Sequence, residues 1–150
     1  MEIKLNTPLT YDKIKGLKSG DSILLSGVIY SARDAAHKRL ISLLNEGKKL
    51  PFNIKDETIY YVGPSPAKPG DVIGSAGPTT SYRMDTYTPK LIDLGLKGMI
   101  GKGARNKEVI NAIVRNNAVY FGAIGGAAAL ISKSIIKSDL IHTGYCLLNL

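Results

Sequence analysis

The chain has 150 residues, of which 44% are hydrophobic and 21% are charged, and its formal net charge at pH 7 is +8. This balance is typical of a globular domain and excludes a disordered chain. One cysteine and two histidines exclude a disulfide framework, and they also exclude a zinc or iron–sulfur site built by this chain alone.

Alternating polar and apolar residues predict strands in the first part of the chain. One strand is expected at residues 3–5, and a longer one, rich in β-branched residues, over residues 22–30. Apolar or small residues three to four positions apart, from Ala36 to Leu44, then predict a helix that follows the strand directly and ends at Gly47. A buried strand is expected over residues 58–62.

Strands and helices continue to alternate in the second part. In chain order we expect a surface loop at 63–70, a strand starting at 71–73, a polar segment at 77–85, a helix with Thr88 as its N-cap that ends at Gly95, a strand at 98–100, a helix at 106–115, a strand at 118–121, a helix at 125–136 and a last strand at 140–148. This alternation without internal repeats predicts one mixed α/β domain over residues 1–150.

Targeting signals are not recognisable in the sequence. The N-terminus lacks the pattern of a signal peptide, and no run of about 18 uninterrupted apolar residues occurs. We therefore expect no membrane partner and a cytoplasmic location, with which an unpaired thiol agrees.

The excess of positive charge indicates an anionic partner or a solvated basic surface. Lysine and arginine are scattered along the chain, and no helix-turn-helix, zinc-finger or aromatic RNA-binding signature occurs. Nucleic acid is therefore not expected as the partner.

The first candidate site segment lies where a predicted strand is followed by a helix. Arg33 and His37 are four residues apart, so they are expected on one helix face near the N-terminal N–H groups, with Asp34 between them. A guanidinium at this place can bind a carboxylate through two parallel hydrogen bonds. The alternative is that Arg33 pairs with an acidic surface residue and that His37 is a hydrogen-bonded histidine at the edge of the core.

The second candidate segment covers residues 77–83. Glycine and proline restrain the backbone there, and the hydroxyls of Thr79 and Thr80 precede Arg83, which suits an anion pocket at the end of a strand. An ordinary turn with hydroxyl-to-backbone bonds is the alternative.

The third candidate segment is the tripeptide at 101–103. Gly101 and Gly103 let a ligand approach the backbone closely, and Lys102 between them contributes a point charge. The segment lacks the spacing of a phosphate-binding P-loop, so an isolated tripeptide of this kind is a weak signal for a site.

Taken together and in order, five segments resemble one family, the β subunit or C-terminal domain of iron–sulfur class I fumarases and L(+)-tartrate dehydratases. The segments are residues 31–37, 60–64, 77–85, 99–103 and 119–121 with 125–128. The resemblance covers about residues 20 to 135. It implies a swivelling β/β/α domain with a mixed sheet and flanking helices.

The resemblance also implies a function and a partner. The function is the reversible hydration of fumarate to L-malate, with tartrate dehydration as the alternative. The partner is an α subunit whose three cysteines hold a 4Fe-4S cluster, and this chain alone binds no metal or other cofactor. Homodimerisation of this chain is left open.

Residue roles follow from the same resemblance. It implies that Thr79 is the catalytic base with Thr80 beside it, and that Arg33, Arg83 and Lys102 bind the carboxylates of the substrate. Supporting positions are Asp34, His37 and Gly101.

The C-terminal tail departs from the pattern of the family. Residues 138–150 do not continue as the family usually does, so we expect a divergent or truncated tail. An anion-binding or interaction module that kept the fold without the activity therefore remains the alternative function.

Overall fold

The computed structural model of the chain describes residues 2–62, 69, 79–123, 137–142 and 145–149. Its strands and helices are β1 (Glu2–Asn6), α1 (Tyr11–Ile14), β2 (Ser22–Ser26), β3 (Val28–Ala32), α2 (Asp34–Asn45), β4 (Thr58–Tyr60), a 3₁₀ helix (Ser81–Met84), α3 (Thr88–Asp93), β5 (Gly98–Gly101), α4 (Lys107–Asn116), β6 (Val119–Gly122), β7 (Lys137–His142) and β8 (Tyr145–Asn149). This order confirms the predicted α/β class. The predicted loop at 63–70, apart from residue 69, the strand at 71–73 and the helix at 125–136 lie outside the described residues.

The strands of the described ranges form two sheets. The larger sheet has the order β6-β5-β4-β3-β8-β7, and β1 and β2 form a parallel pair of their own. Strands β3 to β6 are parallel, whereas β8 runs antiparallel to both β3 and β7. The predicted mixed sheet is confirmed, and four of its strands end at the same edge.

Helices α2, α3 and α4 cover one face of the larger sheet. Ile59 and Met99 of the sheet form one buried cluster with Leu40, Leu91 and Val109 of these helices, and all five are 0% exposed. In the described part of the chain no helix has the length and hydropathy that crossing a bilayer requires.

The opposite face of the larger sheet packs against the β1–β2 pair. Leu5, Leu9 and Ile14 form a second buried cluster, on which Val119 and Phe121 of β6 pack. Tyr120, between them in sequence, packs on the helix-covered side instead. The two-residue period of a strand therefore places Tyr120 on the face where the candidate site lies.

The prediction of one strand over residues 22–30 is wrong. Gly27 adopts φ +113° and separates β2 from β3, which belong to different sheets. A Cβ at Gly27 would collide with Thr7, whose Oγ1 donates to the carbonyl of Val28 at 2.7 Å and whose N–H donates to that of Ser26 at 2.9 Å. The strand was predicted from its β-branched residues, and these cannot show that Gly27 must lie against Thr7, a residue 20 positions away in sequence.

Several predicted boundaries are also corrected by the structure. Tyr87 is the N-cap residue of α3, and Thr88 is its first helical residue, with a hydroxyl that donates to the carbonyl of Met84 at 2.7 Å. The segment at 77–85, predicted to be too polar for the core, ends in the 3₁₀ helix with Ser81 and Met84 buried. The single last strand is a pair, β7 and β8, and the short helix α1 was not predicted.

Candidate active site

The three predicted site segments meet at the carboxyl ends of neighbouring parallel strands. Arg33 follows β3, and Lys102 follows β5. Thr79 is fixed beside the end of β4, because its N–H donates to the carbonyl of Tyr61 at 2.7 Å. This edge of a parallel sheet is where ligands commonly bind in α/β proteins.

Thr80 and Lys102 are direct neighbours. They form an isolated parallel β-bridge, and the N–H of Ser81 donates to the carbonyl of Lys102 at 2.9 Å. Thr79, Thr80 and Lys102 are all half-buried. Across residues 2–62, 69 and 79–123, none of these three side chains forms a hydrogen bond or an ion pair, so both hydroxyls and the ammonium group can bind a ligand.

Arg33 and His37 lie at the start of α2 but differ in exposure. Arg33 is the N-cap residue of α2, with φ −113° and ψ −157°, and its side chain is exposed. His37 is 0% exposed, and both its backbone N–H and its Nδ1–H donate to the carbonyl of Arg33 at 2.9 Å. The two residues are linked through the carbonyl of Arg33, and Arg33 is exposed whereas His37 is not.

The interior position of His37 keeps its imidazole neutral. Burial lowers the pKa of His37 from 6.5 to about 4, and the positive charge of Arg105 contributes to the lowering. The rings of Tyr61 and Tyr87 lie 5.4 Å and 6.2 Å away, and Nε2 has no hydrogen-bond partner among the described residues. His37 therefore holds the backbone carbonyl of Arg33 by hydrogen bonds and does not contribute positive charge to the site.

Arg83 pairs with Asp34, which joins the second segment to the first. The pair connects a guanidinium nitrogen of Arg83 to Oδ2 of Asp34, and the two side chains are 52% and 40% exposed. Such an exposed, screened pair contributes at most about 1 kcal/mol. This pair is therefore weak enough for another carboxylate to replace Asp34 on Arg83. Asp34 thus pairs with Arg83, which is 49 residues away in sequence.

Gly101 allows the second and third segments to approach each other. A Cβ at this position would collide with the hydroxyl of Ser81 and would lie 2.7 Å from Cδ2 of Tyr61. The absence of a side chain at Gly101 therefore determines how close Lys102 comes to the residues at 79–81.

A buried ion pair beneath the site was not predicted. The side chains of Arg105 and Asp85 are 2% and 5% exposed, and Nε of Arg105 donates to Oδ1 of Asp85 at 2.7 Å. The guanidinium also donates to the hydroxyls of Tyr61 at 3.0 Å and Thr88 at 3.2 Å. Oδ2 of Asp85 accepts the N–H of Asn106 at 2.8 Å. One charged pair thus holds the 3₁₀ helix, α3 and the start of α4 together.

Tyr120 is a second residue that sequence reasoning left without a role. Its hydroxyl donates to the carbonyl of Gly103 at 2.8 Å and accepts a hydrogen bond from Ser81 Oγ at 2.7 Å. Its ring lies 4.9 Å from Cζ of Arg105. The alternation along β6 could have placed Tyr120 on this face, but its partners are 17 and 39 residues away in sequence.

The residues of this chain do not fit an iron–sulfur cluster. Among the described residues, no group of three or more His, Cys, Asp and Glu side chains lies close enough to bind a metal ion. The whole sequence contains one cysteine, whereas such clusters are held mainly by several thiolates.

A cavity of about 720 Å³ lies on the other side of the larger sheet. Its described lining is mainly apolar and includes Leu17, Ile23, Ile29, Ile100 and Phe121. None of the predicted site residues contributes to this lining. Tyr120 of β6 also lines this cavity, whereas Thr79, Thr80 and Lys102 do not.

Comparisons with known proteins show the family of the chain. A model of the family described as "Fumarase C-terminus" matches residues 1–144. The "Putative L(+)-tartrate dehydratase subunit beta" of Methanocaldococcus jannaschii is 39% identical over 145 residues, which are 95% of this chain and 74% of that protein.

Two fumarate hydratases are also similar over most of this chain. The anaerobic class I fumarate hydratase of Escherichia coli is 43% identical over 75% of the chain, and fumarate hydratase 2 of Leishmania major is 35% identical over 90% of it. The matched regions span only 21% and 25% of these two relatives. The chain therefore belongs to the fumarase C-terminus family, whose members named above are hydro-lyases.

Proposed function

We propose that this chain is the β part of an iron–sulfur-dependent hydro-lyase that reversibly hydrates fumarate to L-malate. The observation that carries the proposal is that the segments with Arg33, Arg83, Lys102 and the two threonines meet at the ends of β3, β4 and β5. The similarity to fumarate hydratases from Escherichia coli and Leishmania major supports this choice of substrate.

The three cations match the charge of the substrate. A dicarboxylate brings two negative charges, and loss of the proton next to a carboxylate spreads further negative charge onto that carboxylate. Cations positioned there stabilise the transition state more than the ground state. In the proposal, Arg33, Arg83 and Lys102 bind the carboxylates, and substrate displaces Asp34 from Arg83.

Thr79 is the proposed base. In the dehydration direction its deprotonated oxygen takes a proton from the methylene carbon of malate, and the hydroxyl group leaves the neighbouring carbon as hydroxide. The hydroxide then takes the proton back from Thr79 and is released as water. Hydration is the reverse. A threonine hydroxyl is a weak base in water and needs nearby positive charge. Lys102 supports this role, because it forms a β-bridge with Thr80, the residue after Thr79.

The proposal includes a partner that holds the 4Fe-4S cluster. The name "subunit beta" of the archaeal relative supports a second subunit, and this chain lacks a ligand set of its own. The cluster supplies a Lewis-acidic iron for the hydroxyl of the substrate when the partner holds it. The single unpaired thiol is compatible with a complex in the cytoplasm.

Tartrate is the second candidate substrate. The archaeal tartrate dehydratase subunit supports it, because it matches this chain over 95% of the chain and 74% of its own length. Tartrate also carries two carboxylates, so the same cations suit it, and a direct comparison of the two substrates decides between them.

The test is an anaerobic reconstitution of this chain with its proposed partner. We expect iron and sulfide in the complex and hydration of fumarate, or else dehydration of tartrate. Thr79→Ala should lower kcat by about 100-fold or more, whereas Thr79→Ser should retain most of the activity. Near-normal kcat in Thr79→Ala refutes the role of the base. Isolation without any iron–sulfur partner and without either activity favours the anion-binding module.

A further inference from the structure

We propose that Tyr120 is a positioning residue that holds the proposed base and Lys102 at a set spacing. The inference rests on the proposed function. It concerns a residue whose hydroxyl bonds Ser81 and Gly103, which follow Thr80 and Lys102 in sequence.

The hydroxyl of Tyr120 forms one hydrogen bond to the segment with Thr79 and another to the segment with Lys102. The carbonyl of Gly103 can only accept, so the single proton of Tyr120 is used there at 2.8 Å. The hydrogen bond at 2.7 Å must then be donated by Ser81 Oγ. One hydroxyl therefore connects the residue after Thr80 to the residue after Lys102.

The position of this hydroxyl is itself firmly held. Strand β6 pairs with β5, and Tyr120 lies opposite Met99 in the register. The ring of Tyr120 lies 4.9 Å from Cζ of Arg105, which is fixed by its ion pair with Asp85. The sheet and the buried ion pair thus restrain the ring from two directions.

The two segments need such a restraint. Lys102 stands between two glycines, of which Gly103 has φ +88°. Glycine allows a wide range of backbone conformations. Two backbone contacts also hold residues 79–81 against residues 101–103. One is the β-bridge of Thr80 with Lys102, and the other is the hydrogen bond from the Ser81 N–H to the Lys102 carbonyl. A displacement of about 1 Å in a reacting group can lower a rate by about 100-fold.

The first experiment compares Tyr120→Phe with Thr7→Val in the reconstituted complex. Both variants remove one hydroxyl whose bond to a backbone carbonyl is 2.7 to 2.8 Å long, but Thr7 bonds Val28 at the junction of β2 and β3. We expect similar shifts of the urea midpoint in both. We expect kcat/KM to fall about 10- to 100-fold in Tyr120→Phe alone, mainly through kcat.

A double-mutant cycle tests the route through Ser81. If Tyr120 acts by accepting from Ser81, then Ser81→Ala combined with Tyr120→Phe should lower kcat little more than the more severe single variant. Fully additive losses in the cycle, or equal kcat/KM in Tyr120→Phe and Thr7→Val, would overturn the inference.

Amide hydrogen exchange of the full chain separates this inference from the proposed function. Tyr120→Phe should speed the exchange of the Ser81 N–H, the donor to Lys102, by about 10-fold relative to Thr7→Val. If the unmodified complex has no hydro-lyase activity, the proposed function fails, and this exchange rate alone decides on the positioning. Equal exchange in the two variants refutes it.

Discussion

The ion pair between Asp85 and Arg105 is the charged interaction on which we expect the stability of the site to depend most. Its side chains are 5% and 2% exposed, and Oδ2 of Asp85 also accepts the N–H of Asn106. Asp85→Asn keeps the shape of the side chain but leaves the guanidinium buried without its counter-charge. Removing one partner of a buried pair costs about 3–5 kcal/mol, which for a chain of this length lowers Tm by roughly 6–20 °C.

Urea unfolding followed by circular dichroism at pH 7 measures this loss. Asp93→Asn is the matched control, because Asp93 pairs with Arg115 through side chains that are 46% and 52% exposed. Water and salt screen that pair, so its loss should change the free energy of unfolding far less. If Asp85→Asn destabilises the protein no more than Asp93→Asn does, the assignment of Asp85 as the required counter-charge is refuted.

Two further predictions concern His37 and Gly101. Burial holds the pKa of His37 at about 4 against 6.5 when unfolded, so the unfolded chain binds the proton first as the pH falls. As the pH falls from about 7 to 4, protonation of His37 in the unfolded chain should therefore lower the free energy of unfolding by about 3 kcal/mol. In His37→Gln the free energy of unfolding should depend less on pH by that amount. If the pH dependence of the variant equals that of the unmodified protein, the burial of a neutral His37 is contradicted. Gly101→Ala should cost about 1–3 kcal/mol and weaken dicarboxylate binding in titration calorimetry, because its Cβ would collide with Ser81. The control is Gly122→Ala on the paired strand, where a Cβ meets nothing within 4 Å, and equal behaviour of the two variants would count against the close contact.

Much of the fold was accessible from local sequence patterns. Hydrophobic periodicity and turn residues predicted the α/β alternation, and the helix expected at 106–115 is α4, with Asn106 as its N-cap accepting the N–H of Val109 at 2.9 Å. The capping of a helix end involves neighbours in sequence, so its signal is readable there. The family resemblance implied that Thr79, Arg83 and Lys102 act together, and their proposed roles remain predictions.

The sequence by itself thus determined the class of the fold, the family and the segments that carry the candidate site. Only the tertiary structure decided that Gly27 separates two sheets, that His37 is interior, and that Asp34 pairs with Arg83. It alone placed Arg105 and Tyr120 beneath the site. The physical reason is that periodicity reports which face of an element is buried, whereas the partners of a buried charge or hydroxyl come from segments that meet only when the sheet has formed.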